Sequence, residues 1–179
     1  MGLILIEATV VATFLASFFY LWIVNTAEHR SGWPPAEYSS PHWLYPTINT
    51  ALLLFCGWTM YYGGIVMRKG KSMSFFWTVF FCCLSAGLVL YLRWLQMLSF
   101  PFQWNEHAYA SFFWLLTGFH FLHVLSAFIG TAIIGWFSYI GFYTKDSHLA
   151  VQVDTLYWYF VVGGWIPMYI VMYLIPGSV

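Results

Sequence analysis

Charge is what this sequence lacks. Only 7% of its 179 residues are charged, six basic and six acidic, where soluble domains carry about 25%. A water-soluble fold needs such groups to cover its surface, so the solvent around this chain is lipid. Cysteine is scarce as well. Cys56, Cys82 and Cys83 all fall inside apolar runs and form no C-x-x-C pair, so they read as small hydrophobes and not as metal or disulfide cysteines. No basic stripe alternates with aromatics, which excludes a nucleic-acid surface. A phosphate loop, a nucleophile triad and a CxxCH haem site are all absent, as are internal repeats and low-complexity tracts. The first apolar run starts at once without a basic lead-in, so no cleavable signal is expected.

What the sequence has is apolar length. Hydrophobic residues make up 61% and aromatic ones 23%, and mean hydropathy is +0.74. Crossing about 30 Å of hydrocarbon takes roughly 20 apolar residues. Five runs meet that need, at about 3–24, 46–67, 75–98, 108–142 and 153–175. They are too long and too evenly apolar for barrel strands, which alternate over roughly 10 residues. Backbone groups in lipid must be satisfied internally, which leaves helix. The fold class predicted is therefore all-α, a single membrane domain over 1–179 holding five transmembrane helices.

Loop charge predicts orientation. With the N-terminus inside, the inner loops hold Arg68, Lys69, Lys71 and Lys145, against Arg30 outside and Arg93 near the outer end of the third span. That balance places the N-terminus in and the C-terminus out. Turn formers Gly32, Trp33, Pro34, Pro35 and Pro41 mark the first loop, and Pro176 and Gly177 close the last run. Trp33, Trp43, Tyr45, Trp104 and Tyr173 sit near span ends, as interfacial belts do.

Few residues carry chemistry. Glu7 is an acid in an apolar run, a functional candidate because a carboxyl there must be protonated, paired or hydrated; with six residues before it, an interfacial glutamate reaching water is the competing reading. His120 and His123 share one face of the fourth span. They read as hydrogen-bonded contacts between helices, or as haem ligands of a b-type cytochrome membrane anchor, although a bis-histidine haem needs a second helix and no other span offers a histidine. His29, His42, His107 and His148 read as loop residues. Arg93 and Gln96 share a face of the third span, with Arg93 expected to snorkel. Asp154 is expected in the first turn of the fifth helix, where a carboxylate suits the helix dipole. Pro167 is expected to kink that helix, and Gly163–Gly164 to admit a close neighbour. A small transporter is disfavoured by the lack of paired charges and of an inverted repeat.

Several motifs in order resemble subunit III of the haem–copper oxidases. After a glutamate-led first span comes Trp33-Pro34-Pro35, then Ile48-Asn49-Thr50 at the head of the next helix. Pro101-Phe102 precedes Tyr109-Ala110-Ser111. Thr117-Gly118-Phe119-His120 with Leu122-His123-Val124 resembles the family's TGxHxxHV stretch, and Tyr157-Trp158-Tyr159-Phe160-Val161 with Trp165 resembles its closing YWHFVDxxW. The match begins at the family's third helix, so the resemblance implies a five-helix form without the first two helices. The chain departs from the family pattern at Gln96, Phe137, Gln152, Tyr159 and Val162.

The resemblance implies a subunit with no haem, copper or other metal of its own. It would pack on catalytic subunit I and other oxidase subunits, which carry haem and copper, in the inner (plasma) membrane of an aerobic respiratory chain. There it would stabilise the complex, hold phospholipid and support proton uptake. A subunit III-like partner of a nitric oxide reductase is the neighbouring alternative. The residues it would use are Glu7 for proton handling or lipid, with His120, His123, Arg93, Gln96 and Tyr159 as structural polar contacts.

Overall fold

A computed structural model describes residues 2–29, 43–144 and 147–175. Arg30, Gly32, Trp33, Pro34, Pro35, Pro41, His42, Lys145, Asp146, Pro176 and Gly177, on which parts of the sequence reading rest, lie outside them. Every regular element described is helical: α1 (Gly2–His29), α2 (Leu44–Arg68), α3 (Ser72–Leu98), α4 (Ala108–Tyr139) and α5 (Leu149–Tyr169), the last running on into a π-helical turn at Ile170–Leu174. Among the described residues, five helices are long and apolar enough to cross a membrane, as the composition anticipates.

The helix ends have local causes. Gly70, at φ 72°, terminates α2: its N–H donates to Met67 O at 2.8 Å and the Lys71 N–H reaches Val66 O at 3.3 Å. This is the Schellman pattern, which glycine enters without Cβ strain. Gly141, at φ 76°, repeats it at the end of α4, with Gly141 N–H to Ser138 O and Phe142 N–H to Phe137 O at 3.0 and 2.9 Å. The apolar contact that accompanies the motif is present, the Phe137 and Phe142 rings lying 5.3 Å apart. Hence α4 stops at Tyr139 although the apolar run continues to Phe142. At its other end the His107 imidazole caps the helix, accepting from the Tyr109 N–H at 3.1 Å. In α5, Pro167 removes a backbone donor, and one turn later the ladder widens to Ile175 N–H on Ile170 O.

Helices α2 to α5 close into a ring of neighbours, α2 on α3, α3 on α4, α4 on α5 and α5 back on α2, with α1 resting outside against α4 and α5. Buried positions recur every three or four residues, as in Leu53, Cys56, Met60, Gly63 and Met67 of α2 and Phe75, Val79, Cys82, Ala86 and Val89 of α3. Small residues set the close approaches, because lipid gives no hydrophobic push between helices and packing must do it. Cys56 and Cys82 face one another as free thiols, each sulfur near the other's carbonyl. A Cβ on Gly63 would fall 2.9 Å from Thr78 Oγ1, and one on Gly135 2.6 Å from Val79 Cγ1. At Gly163 and Gly164, where the sequence suggested close contact, a Cβ meets nothing within 4 Å.

Candidate functional site

Two polar regions emerge, one at each end of the bundle. The Lys71 end carries the α2–α3 turn, the N-terminus of α1 and the start of α5. There α1, α4 and α5 enclose an open groove of about 750 Å³, lined by Glu7, Ser126, Gly130, Asp154 and Tyr157 among apolar neighbours. Glu7 Oε2 lies 3.7 Å from His123 Nε2. The other imidazole nitrogen, His123 Nδ1, is 2.8 Å from Phe119 O. A carbonyl only accepts, so Nδ1 carries a proton and Nε2 faces the carboxyl group.

Beside this pair, Ser126 Oγ donates to His123 O at 2.9 Å. Having used its proton, it must accept from Tyr157 Oη at 2.8 Å. One turn away on α5, Asp154 is 7% exposed. Thr131 Oγ1 donates to Asp154 Oδ2 at 2.8 Å and accepts from Trp158 Nε1 at 2.7 Å. Asp154 is not in the first turn, because α5 begins earlier, at Leu149; its partner is a hydroxyl on α4 and not a helix end.

Nearer the Pro101 end, Arg93 is 1% exposed and does not snorkel. Its guanidinium carbon lies 4.0 Å over the centroid of Trp165, and Nη1 donates to Gln96 Oε1 at 3.1 Å. Gln96 Nε2 donates to Tyr173 Oη at 2.7 Å, so Tyr173 belongs to this buried network and not to an interfacial belt. Trp165 Nε1 donates to Thr50 Oγ1 at 2.8 Å. His120 Nε2 donates to Val161 O at 3.2 Å, and its ring packs 4.7 Å from Trp165. Between the two regions, His120 and His123 flank a cavity of only about 10 Å³ walled by Phe119, Phe160 and Val161.

The structure thus brings Glu7 together with His123, and Arg93 together with Gln96 and His120. Tyr159 joins neither group: it is 42% exposed on α5. Gln152 is exposed and pairs with His148 at 3.0 Å, Phe137 packs on Phe142, and Val162 faces Gly57. The sequence reading missed Thr131, Ser126 and Tyr157. The spacing of Asp154 and Tyr157, three apart on one helix face, was the available signal.

Five apolar helices able to cross a membrane, with no cluster of three or more metal-ligating side chains among the described residues, define a multi-pass helical membrane protein. Its family follows from sequence. The family model for cytochrome c oxidase subunit III matches residues 1–176. Similar proteins include cytochrome c oxidase subunit 3 of Marchantia polymorpha, 28% identical over 99% of this chain and 68% of the relative. The Arabidopsis thaliana protein of the same name is 28% identical over 96% and 66%, and that of Anopheles gambiae 29% over 90% and 62%. The chain belongs to the cytochrome c oxidase subunit III family. It spans about two thirds of the length of these curated relatives.

Proposed function

We propose that this chain serves as a non-catalytic subunit of a haem–copper terminal oxidase in a respiratory membrane, packed against subunit I and other oxidase subunits that carry the haem and copper. The family match across residues 1–176 carries this reading. The placement of the intramembrane histidines supports it: His120 and His123 both lie on α4, whereas a bis-histidine haem needs one from each of two facing helices. The chain contributes a packed helical face and no active site of its own. Mild solubilisation from the native membrane and identification of co-purifying chains test the reading. Subunit I should appear in constant ratio, and a pyridine haemochrome assay on the separated chain should be blank. A stoichiometric haem in the separated chain would replace the oxidase reading with the b-type anchor.

Within that complex the Lys71 end faces the inside of the plasma membrane, with the N-terminus in and the C-terminus out. Arg68, Lys69 and Lys71 at the α2–α3 turn support this side as the inner one. A cysteine introduced at Ser74 should resist an impermeant thiol reagent until the membrane is opened. In this orientation the groove opens inward, where Glu7 with His123 takes part in proton handling and the apolar walls accept a phospholipid chain.

A further inference from the structure

Arg93 is a buried cation without an anion. Among the described residues no carboxylate pairs with it. Its contacts are the face of Trp165, the amide oxygen of Gln96 and the neighbouring Tyr173 hydroxyl. Its Nε and Nη2 are sealed from solvent and meet no hydrogen-bond partner among the described residues. Those two N–H groups lie along one edge of the guanidinium and point the same way. This is the fork that binds a carboxylate or another acceptor through two parallel hydrogen bonds. A desolvated guanidinium with its bidentate edge unused is costly in a low-dielectric interior, and Arg93 is only 1% exposed.

The edge has company. Asn49 is fully buried, and neither its amide nitrogen nor its oxygen has a partner. It precedes Thr50, whose hydroxyl holds the Trp165 indole. His120 rests on the same Trp165, and with Nε2–H spent on Val161 O its Nδ1 lone pair is unpaired. Thr117, one turn along α4 from His120, has a sealed and unpartnered hydroxyl. Arg93 and His120, both packed on Trp165, thus keep buried hydrogen-bonding capacity in reserve.

We propose that the Nε–Nη2 edge of Arg93 is a binding site for a small buried guest that accepts hydrogen bonds, a chloride ion or a water oxygen, held in the bundle core beside Trp165. A water accepts both N–H groups and leaves the guanidinium charge in place; a chloride satisfies that charge directly. The site is internal to this chain and exists whichever complex the chain joins.

The test is a map of the intact purified complex at a resolution that shows ordered water, together with thermal midpoints measured in chloride and in gluconate. Density within hydrogen-bond distance of both Nε and Nη2 is expected, and its loss in Arg93→Lys, which keeps the charge without the fork. If the guest is chloride, the wild-type midpoint falls by about 2 °C or more in gluconate, while Arg93→Lys does not respond. If it is water, the density persists in gluconate and the midpoint is unchanged. A map in which protein atoms fill both positions, or in which the edge carries no density, overturns the proposal. Should Arg93→Lys fail to assemble, the wild-type map decides alone.

Discussion

The two ends of this bundle treat ionisable groups in opposite ways. At the Lys71 end, Glu7 and Asp154 line an open groove between a loosely seated α1 and the α4–α5 pair. Toward the Pro101 end, Arg93 is sealed among Trp165, Gln96 and Tyr173. The groove leaves open space beside these acids, whereas the Arg93 network is closed around its charge. Proton exchange is proposed for Glu7 at the groove, while the sealed network ties α2, α3, α4 and α5 to one another. Substitutions at the sealed end should damage the fold, and loss of the Glu7 carboxyl at the groove should damage turnover.

Trp165→Ala should have the largest effect. It deletes a fully buried ring, the surface under Arg93 and the indole bond to Thr50. A loss of about 3 kcal/mol is expected, at the low end for tryptophan deletions because lipid lacks the transfer penalty that water adds. The thermal midpoint of the solubilised complex reads it. A midpoint within a degree of wild type would mean that the sealed network does not hold the helices together.

Gly135→Leu comes next, at about 2 kcal/mol, because even its Cβ would collide with the branched and rotamer-locked Val79. Gly163→Leu on α5 is the control: nothing lies within 4 Å of its Cβ, so it should be nearly silent. Equal effects at the two positions would show that close approach at the α3–α4 contact is not what matters.

Much of this fold was readable because lipid imposes a single rule, a long apolar run satisfied by helix. That rule is blind to direction around the helix. Arg93 looked like a snorkelling residue because it lies near a span end in sequence, but its partner Trp165 is on another helix and no local pattern shows which way the guanidinium turns. The rule is also blind to helix ends inside apolar sequence: only Gly141, not hydropathy, marks the stop of α4 before Phe142. Asp154 was misplaced for the related reason that Leu149, Ala150 and Val151 extend α5 backwards through ordinary residues, which puts the acid a full turn deeper. The histidine pair and Glu7 were visible as odd residues in apolar runs, while Thr131 and Ser126 were not, since a hydroxyl is unremarkable in a membrane helix until its partner is known.

Thr131→Val sharpens the comparison at the groove's inner wall. It withdraws the donor from Asp154 and the acceptor from Trp158 Nε1 together. Leaving a buried indole N–H unpaired costs about 1–2 kcal/mol. Thr131→Ser keeps both bonds and should restore the midpoint. If the serine variant is as unstable as the valine one, the lost methyl packing is responsible and not the hydrogen bonds.

Glu7→Gln should have the smallest effect on stability and the most informative effect on function. Glutamine fills the same space at the groove wall. It can donate its amide N–H to His123 Nε2, so the contact survives in neutral form at a change of about 0.5 kcal/mol or less. What it removes is the ionisable carboxyl group beside the imidazole. If the groove is the proton-exchanging region, oxygen consumption should begin at the wild-type rate and then fall over many turnovers, with proton uptake lagging from the start. His123→Phe should reproduce the lag, because it removes the other half of the pair while keeping a ring against Phe119 and Phe160. The same measurement on Gln96→Leu at the sealed end should show a lowered midpoint and no selective lag in proton uptake. Traces for Glu7→Gln that overlay wild type throughout would reduce Glu7 to an interfacial acid. Immediate and complete loss of oxygen reduction would be the opposite failure, since it would put a groove that lacks any metal-ligating cluster among the described residues inside the catalytic step itself.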